Sequence, residues 1–377
     1  MVEFSDRRIS VRSILHVAAV NTAIFAGLLL LVEGGLRVLM PIGVRRVVDL
    51  RQTIHGVKPF VRYEEFASGL RARSARAVAK PKDTIRILCV GASTTQQMVQ
   101  ETEDTWCAHI ERQLQMIPKL NARRIESISA GRSAQKSIDT ATRLAELTDQ
   151  LQPDVVITLL GVNDLVLNGG PDWAPRDARS YKASKRGWNC TSVSALCRAV
   201  AQARIGLTAY WQLTTGAAVE WHSAKLPRLQ REYSKLAYVE RLNREPDPLV
   251  EFESSMEVML TRLQQKGIKA IVLGQPVLWK PDLSDEEAAV LWFGVNTKAG
   301  RVRVAPTWLE AEMHRYNAAQ AVIAGRHGFG YVDLDRQLPK TLAIYFDDCH
   351  FTDAGSAALA ELTIPAVQEI VEKISQR

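Results

Sequence analysis

Ser93 lies in the stretch RILCVGASTTQQ (residues 86–97), where an apolar run ends in Gly-Ala-Ser and two threonines and two glutamines follow. A serine in that place has two readings. As a capping residue it would satisfy an orphan amide at a helix start. As a nucleophile it would sit at a strand end, where helix-start amides and the helix dipole favour developing negative charge. A nucleophilic serine needs a base, and the base needs an orienting group. Of the seven histidines, His350 has the best setting, in YFDDCHFTDAG with Asp347 three residues upstream. In a loop, that spacing brings a carboxylate to one imidazole nitrogen while the other faces the serine; the alternative is an ordinary polar turn. An oxyanion also needs donors. SAGRS (129–133) offers Gly131, where the backbone can approach a ligand closely, and LLGVNDL (159–165) offers the Asn163 side-chain amide. The Ser93 N–H is a third donor. Glycine and Asn-Asp are equally at home in plain turns.

These residues need elements to hold them. IRILCV (85–90), RIESISA (124–130), DVVITLLG (154–161), IKAIVLG (268–274) and YVDL (331–334) are short apolar or β-branched runs. Several are too continuous to be half-exposed, which suits parallel strands covered on both faces. Helical stretches are expected near 105–117, 137–151, 249–266, 308–326 and 354–375. Thr352 and Asp353 can cap the last of these, and Pro365 is placed to kink or split it. The alternation points to an α/β, doubly wound sheet. Ser93, Gly131 and Asn163 then each follow the C-terminal end of a strand. Two stretches break the alternation, at about 165–248 and 276–307. Both leave the same end of the sheet, where α/β proteins bind ligands, so they read as substrate cover. Trp173, Trp188, Trp211 and Trp221 in the first are suited to stacking on sugar rings or to packing in a core.

The order Ser, Gly, Asn, then Asp-x-x-His, written GAST, SAGRSAQKS, GVND and DDCH, resembles the SGNH (GDSL-like) hydrolase superfamily. The resemblance covers roughly 83–375 apart from the two insertions. It implies a three-layer α/β/α, flavodoxin-like domain with a parallel sheet. It also implies Ser93 as nucleophile, His350 as general base, Asp347 as its partner, and Ser93, Gly131 and Asn163 as oxyanion donors. No metal or organic cofactor is implied. The chain departs from the family pattern at Ala92, where the family name expects aspartate, and at Ser129 and Ala130, where asparagine is common. The missing second glycine in Gly91-Ala92-Ser93-Thr94-Thr95 argues against the G-x-S-x-G elbow of ordinary α/β-hydrolases. By resemblance the protein is a serine esterase acting on O-acyl groups of envelope glycans or on lipid-like esters. An acyltransferase of surface-polysaccharide assembly would use the same residues. A non-catalytic glycan-binding or scaffold protein with a relic site is the third reading.

The N-terminus differs from the rest. Ile14 to Val32 carries no formal charge, has the length of a single span, and follows Arg7, Arg8 and Arg12. No small-x-small cleavage site follows, so the stretch reads as a retained anchor rather than a signal peptide. This divides the chain into a tail and anchor (1–36), a basic juxtamembrane connector (37–82) and the hydrolase-like domain (83–377). The expected placement is single-pass in the inner membrane, with the domain outside the cytoplasm. Arginines on both sides of the span leave the positive-inside rule undecided. The net charge of +7 comes without a long Lys/Arg run, a zinc-finger spacing or an RNA-binding signature, which argues against nucleic acid. Cys89 reads as a core residue. Cys190 and Cys197 are spaced either to close a small disulfide loop in an oxidising compartment or to remain free thiols. The oligomeric state is not legible.

Overall fold

The computed structural model describes residues 11–39, 46–51, 53–65, 70–73, 80–120, 123–170 and 221–376. Its centre is a six-stranded sheet of β1 (Arg71–Ala72), β2 (Thr84–Gly91), β3 (Arg124–Ser129), β4 (Val155–Leu159), β5 (Lys269–Leu273) and β6 (Gly330–Val332), in the order β6-β5-β4-β2-β3-β1. Strands β2 to β6 pair in parallel. Every residue of β2 and β4 is buried, which is why their runs are mostly apolar or β-branched rather than alternating; the exception, Arg86 in β2, is buried against Glu126 of β3 at 2.9 Å. The sheet is mixed rather than purely parallel, because β1 joins the edge antiparallel to β3. That strand is two residues long and includes an arginine, too short and polar to show a period in sequence.

Helices pack in two groups. One joins Trp106–Gln115 to Asp353–Ser375, and the other joins Ser137–Leu151 and Pro306–Arg326 to Leu249–Gln265. The last helix runs unbroken through Pro365, and its start is capped by the Thr352 hydroxyl, which accepts from the Gly355 N–H. The crossover between β2 and β4 is the point where strand order reverses, the place at which such sheets bind ligands.

Residues 46–51 and 60–65 form an antiparallel hairpin. The segment between them docks on the domain: Asp353 N–H donates to Gly56 O, and Lys58 pairs with Glu101 and Asp104. The two insertions meet in a small sheet in which Gly300–Val304 lies between Tyr238–Val239 and Val295–Thr297.

A helix spans Val11–Leu39, with side chains described at His16 and over 19–35, among them the exposed Phe25, Leu30 and Leu31. Among the described residues no helix is long and apolar enough to cross a membrane. This corrects the expected transmembrane helix over 14–32. The membrane partner and the single-pass inner-membrane placement that rested on it fall with it.

Cys89 is bonded to Cys107, and Cys349 is a buried free thiol. Cys89 is therefore a core residue with a covalent partner on the helix packed behind β2. Cys190, Cys197, Trp173, Trp188 and Trp211 lie outside the described residues.

Candidate active site

β2 delivers the chain to Ser93, the first residue of a one-turn helix, Ser93–Gln96, that ends at Gln97 in the left-handed conformation. Gly91 lets this turn fold tightly, since a Cβ there would meet Leu159 O and the Thr95 side chain. Arg71 locks the far end of the turn. Its buried guanidinium donates to the carbonyls of Gln96 (2.9 Å), Gln97 (2.7 Å) and Gln100 (2.7 Å), and it stacks 3.8 Å from the centre of the Tyr63 ring. Burial lowers the Arg71 pKa to about 10, which leaves it charged near neutrality.

Ser93 Oγ lies 2.8 Å from His350 Nε2, and His350 Nδ1 lies 2.7 Å from Asp347 Oδ2. A hydrogen on Nδ1 donated to the carboxylate leaves Nε2 as the acceptor for the serine hydroxyl. Asp347 also accepts from the backbone N–H of Cys349 (3.0 Å) and His350 (2.8 Å) and from Trp292 Nε1 (2.9 Å). Burial alone would raise its pKa. The nearby imidazolium and these donors outweigh burial and hold it below the usual carboxylate range. Burial opposes charge on His350 as well, but the Asp347 carboxylate, with Asp348, lifts it above the ordinary histidine value.

Asp348 points elsewhere. It accepts from Trp279 Nε1 (2.8 Å), Trp292 N–H (2.8 Å) and Phe293 N–H (3.1 Å), and burial together with the Asp347 charge pushes it up to about 7. Two adjacent carboxylates thus have divergent environments. One orients the histidine, and the other pins the second insertion, whose Trp292 stacks parallel to His350. Asp347, Cys349 and His350 also form the one cluster among the described residues whose ligand atoms, all within 4.8 Å of one another, suit a metal ion.

The expected oxyanion donors fall in different places. Asn163 opens the helix Val162–Leu167, faces the cavity beside Ser93, and donates one Nδ2 hydrogen to Gln135 O (2.9 Å). Its neighbour Asp164 is fully buried and accepts from Ser137 N–H (3.0 Å) and Oγ (2.6 Å), tying the 134–137 turn to this helix. Gly131 does not line the cavity. A Cβ there would collide with the backbone of Thr95 and Gln96, so its missing side chain serves close packing under the serine turn. Ala134 does line the cavity; it is held at φ +60°, with no acceptor for its N–H among the described residues. Left-handed alanine has no sequence signature, which is why it was missed. Arg71 was missed because it lies ahead of the expected domain. Asp348 and Trp292 were missed because only the fold brings the insertion to the triad.

Ser93, Asn163, Asp347 and His350 open into a cavity of about 440 Å³. The two insertions supply part of its wall, through Leu226 and Leu229 and through Trp292 and Phe293.

Residues 89–358 match the family model described as the GDSL-like Lipase/Acylhydrolase family. No curated protein matches the chain significantly. Similar solved structures include LAE5, an alpha/beta hydrolase enzyme from the metagenome of Lake Arreo, Spain, at 15% identity and TM-score 0.42, with 76% of this chain and 96% of that one covered. They also include Axe2, an acetylxylan esterase from Geobacillus stearothermophilus, at 14% identity and TM-score 0.41, with 75% and 94% covered. At that level the likeness carries no argument.

Proposed function

The chain belongs to the GDSL-like lipase/acylhydrolase family, and we propose that within it this protein is a serine esterase acting on an ester-bearing glycan or lipid-like compound. His350 Nε2 takes the proton from Ser93 Oγ as the oxygen attacks the ester carbonyl. The imidazolium formed is stabilised by Asp347. The tetrahedral oxyanion receives the Ser93 N–H and the free Nδ2 hydrogen of Asn163. The Ala134 N–H takes the part that Gly131 was expected to play. His350 then gives its proton to the leaving alkoxide, and the acyl group remains on Ser93 Oγ. Water, deprotonated by the same nitrogen, releases the acid and restores the serine.

The observation that carries this reading is the continuous relay from Ser93 Oγ through His350 to Asp347, at 2.8 and 2.7 Å, opening on a cavity. The test is turnover of a p-nitrophenyl ester by wild type, Ser93→Ala and His350→Ala. Losses of about 10³-fold or more are expected in each variant with the fold retained. Near-normal turnover in either folded variant would reject the reading.

A further inference from the structure

We infer that the cavity beside Ser93 is an acyl-chain pocket, and that the preferred substrate carries an apolar acyl group of medium length rather than an acetyl group on a sugar. The inference rests on the esterase reading and narrows it.

The first argument is the wall. Met98, Val166, Leu226, Leu229, Trp292 and Phe293 surround the space that opens on Ser93. They come from the serine turn, from the helix bearing Asn163 and from both insertions, so several elements contribute apolar side chains to the described wall.

The second argument is what the polar lining groups already do. Recognition of a sugar needs uncommitted donors and acceptors aimed at its hydroxyls. Here Gln97 takes the Trp106 N–H, and Gln100 donates to Asp353 and Ser356. Ser133 Oγ donates to Gln96, and Asn296 Nδ2 donates to Leu167 O. Arg301 holds the carbonyls of Trp292 and Gly294. These side chains build the wall. Among the described lining side chains, those left without such a commitment are the catalytic relay, the oxyanion donors and Thr94, whose buried hydroxyl has no partner, a set that suits an ester polar only near its carbonyl.

The third argument is size. The cavity is about 440 Å³. A methylene needs space on the order of one water, about 30 Å³, so a chain of about eight carbons takes roughly half of it. An acetyl group would leave most of the apolar wall uncovered. Each methylene buried on the way to the transition state raises kcat/KM by about fourfold at most, from the transfer free energy of one CH₂.

The experiment measures kcat/KM of the full chain on p-nitrophenyl acetate, butyrate, octanoate and dodecanoate, with Ser93→Ala run on each, and compares glucose pentaacetate. The leaving group is constant across the nitrophenyl series, so the trend reports the acyl side. Octanoate is expected to exceed acetate by about 100-fold or more, and Leu229→Trp, which fills the pocket, to lower the octanoate-to-acetate ratio by about tenfold. Acetate as good as octanoate, or glucose pentaacetate better than either, with all turnover lost in Ser93→Ala, would overturn the acyl-pocket inference and leave the esterase reading standing. Turnover retained in Ser93→Ala would overturn both.

Discussion

Asp347→Asn separates an orienting carboxylate from a merely structural one. Asp347 is 1% exposed and receives His350 Nδ1, two backbone amides and Trp292 Nε1. In the asparagine variant Oδ1 still accepts the Cys349 and His350 amides, and the side-chain NH₂ faces His350 Nδ1 and Trp292. An NH₂ cannot accept from Nδ1–H, and Oδ1, 2.9 Å from Nδ1, is already taken by the two backbone amides, so the tautomer with the hydrogen on Nε2 is favoured. That nitrogen then donates toward Ser93 and cannot remove its proton. The expected loss in kcat is about 10⁴-fold, or roughly 5 kcal/mol of transition-state stabilisation. The stability cost is smaller, about 1–3 kcal/mol, because one buried N–H on Trp292 loses its acceptor. The pH profile supplies a second readout. The active form needs neutral His350, so wild-type kcat/KM falls as pH drops through its pKa, which Asp347 holds above the ordinary value. Removing that charge moves the acid limb to lower pH. The assay is p-nitrophenyl ester hydrolysis from pH 5 to 9, with thermal melting as a folding control. A folded variant within about tenfold of wild type, or one whose acid limb does not move, would refute the assignment.

Asn163→Ala should lower kcat by about 10²–10³-fold with little change in KM, because its bond strengthens as the oxyanion forms; initial-rate kinetics over a range of ester concentrations read both. Trp292→Phe keeps the ring against His350 but removes a donor from Asp347, so kcat should fall by up to about tenfold in the same assay. Arg71→Met leaves the carbonyls of Gln96, Gln97 and Gln100 without their cation. It should cost about 3 kcal/mol, read as the lost denaturation midpoint in urea at constant slope.

Ser93, Asp347 and His350 were legible because their signals are local: a strand end followed by a helix start, and a carboxylate three residues from a histidine. The structure brings these three within hydrogen-bonding distance across 257 residues of chain. The strands of the parallel sheet were legible for a related reason, since burial on both faces writes itself as a short, mostly apolar or β-branched run, with Arg86 and Glu126 tolerated because they pair with each other. What sequence did not reveal depends on close approach of distant backbone. Gly131 looked like a donor because glycine permits contact with a ligand, yet the contact it permits is with Thr95 and Gln96. Ala134 lines the cavity at a left-handed φ that no residue type announces. Arg71 read as part of a basic connector, and only the pairing of β1 with β3 shows that it serves the serine turn. The apolar stretch at 14–32 carried the opposite error. Hydropathy alone suggested a span that the described helix does not supply.

The central claim, that Ser93 is the activated nucleophile, is tested most directly by a fluorophosphonate, which reacts only with a serine oxygen made nucleophilic by its neighbours. The full chain is incubated with the probe at neutral pH, digested, and the adduct located by mass spectrometry. The account predicts one adduct, on the peptide containing Gly91-Ala92-Ser93, with labelling suppressed in His350→Ala. Ester turnover with the adduct on another serine, or with Ser93 unmodified after the probe has abolished activity, would contradict it.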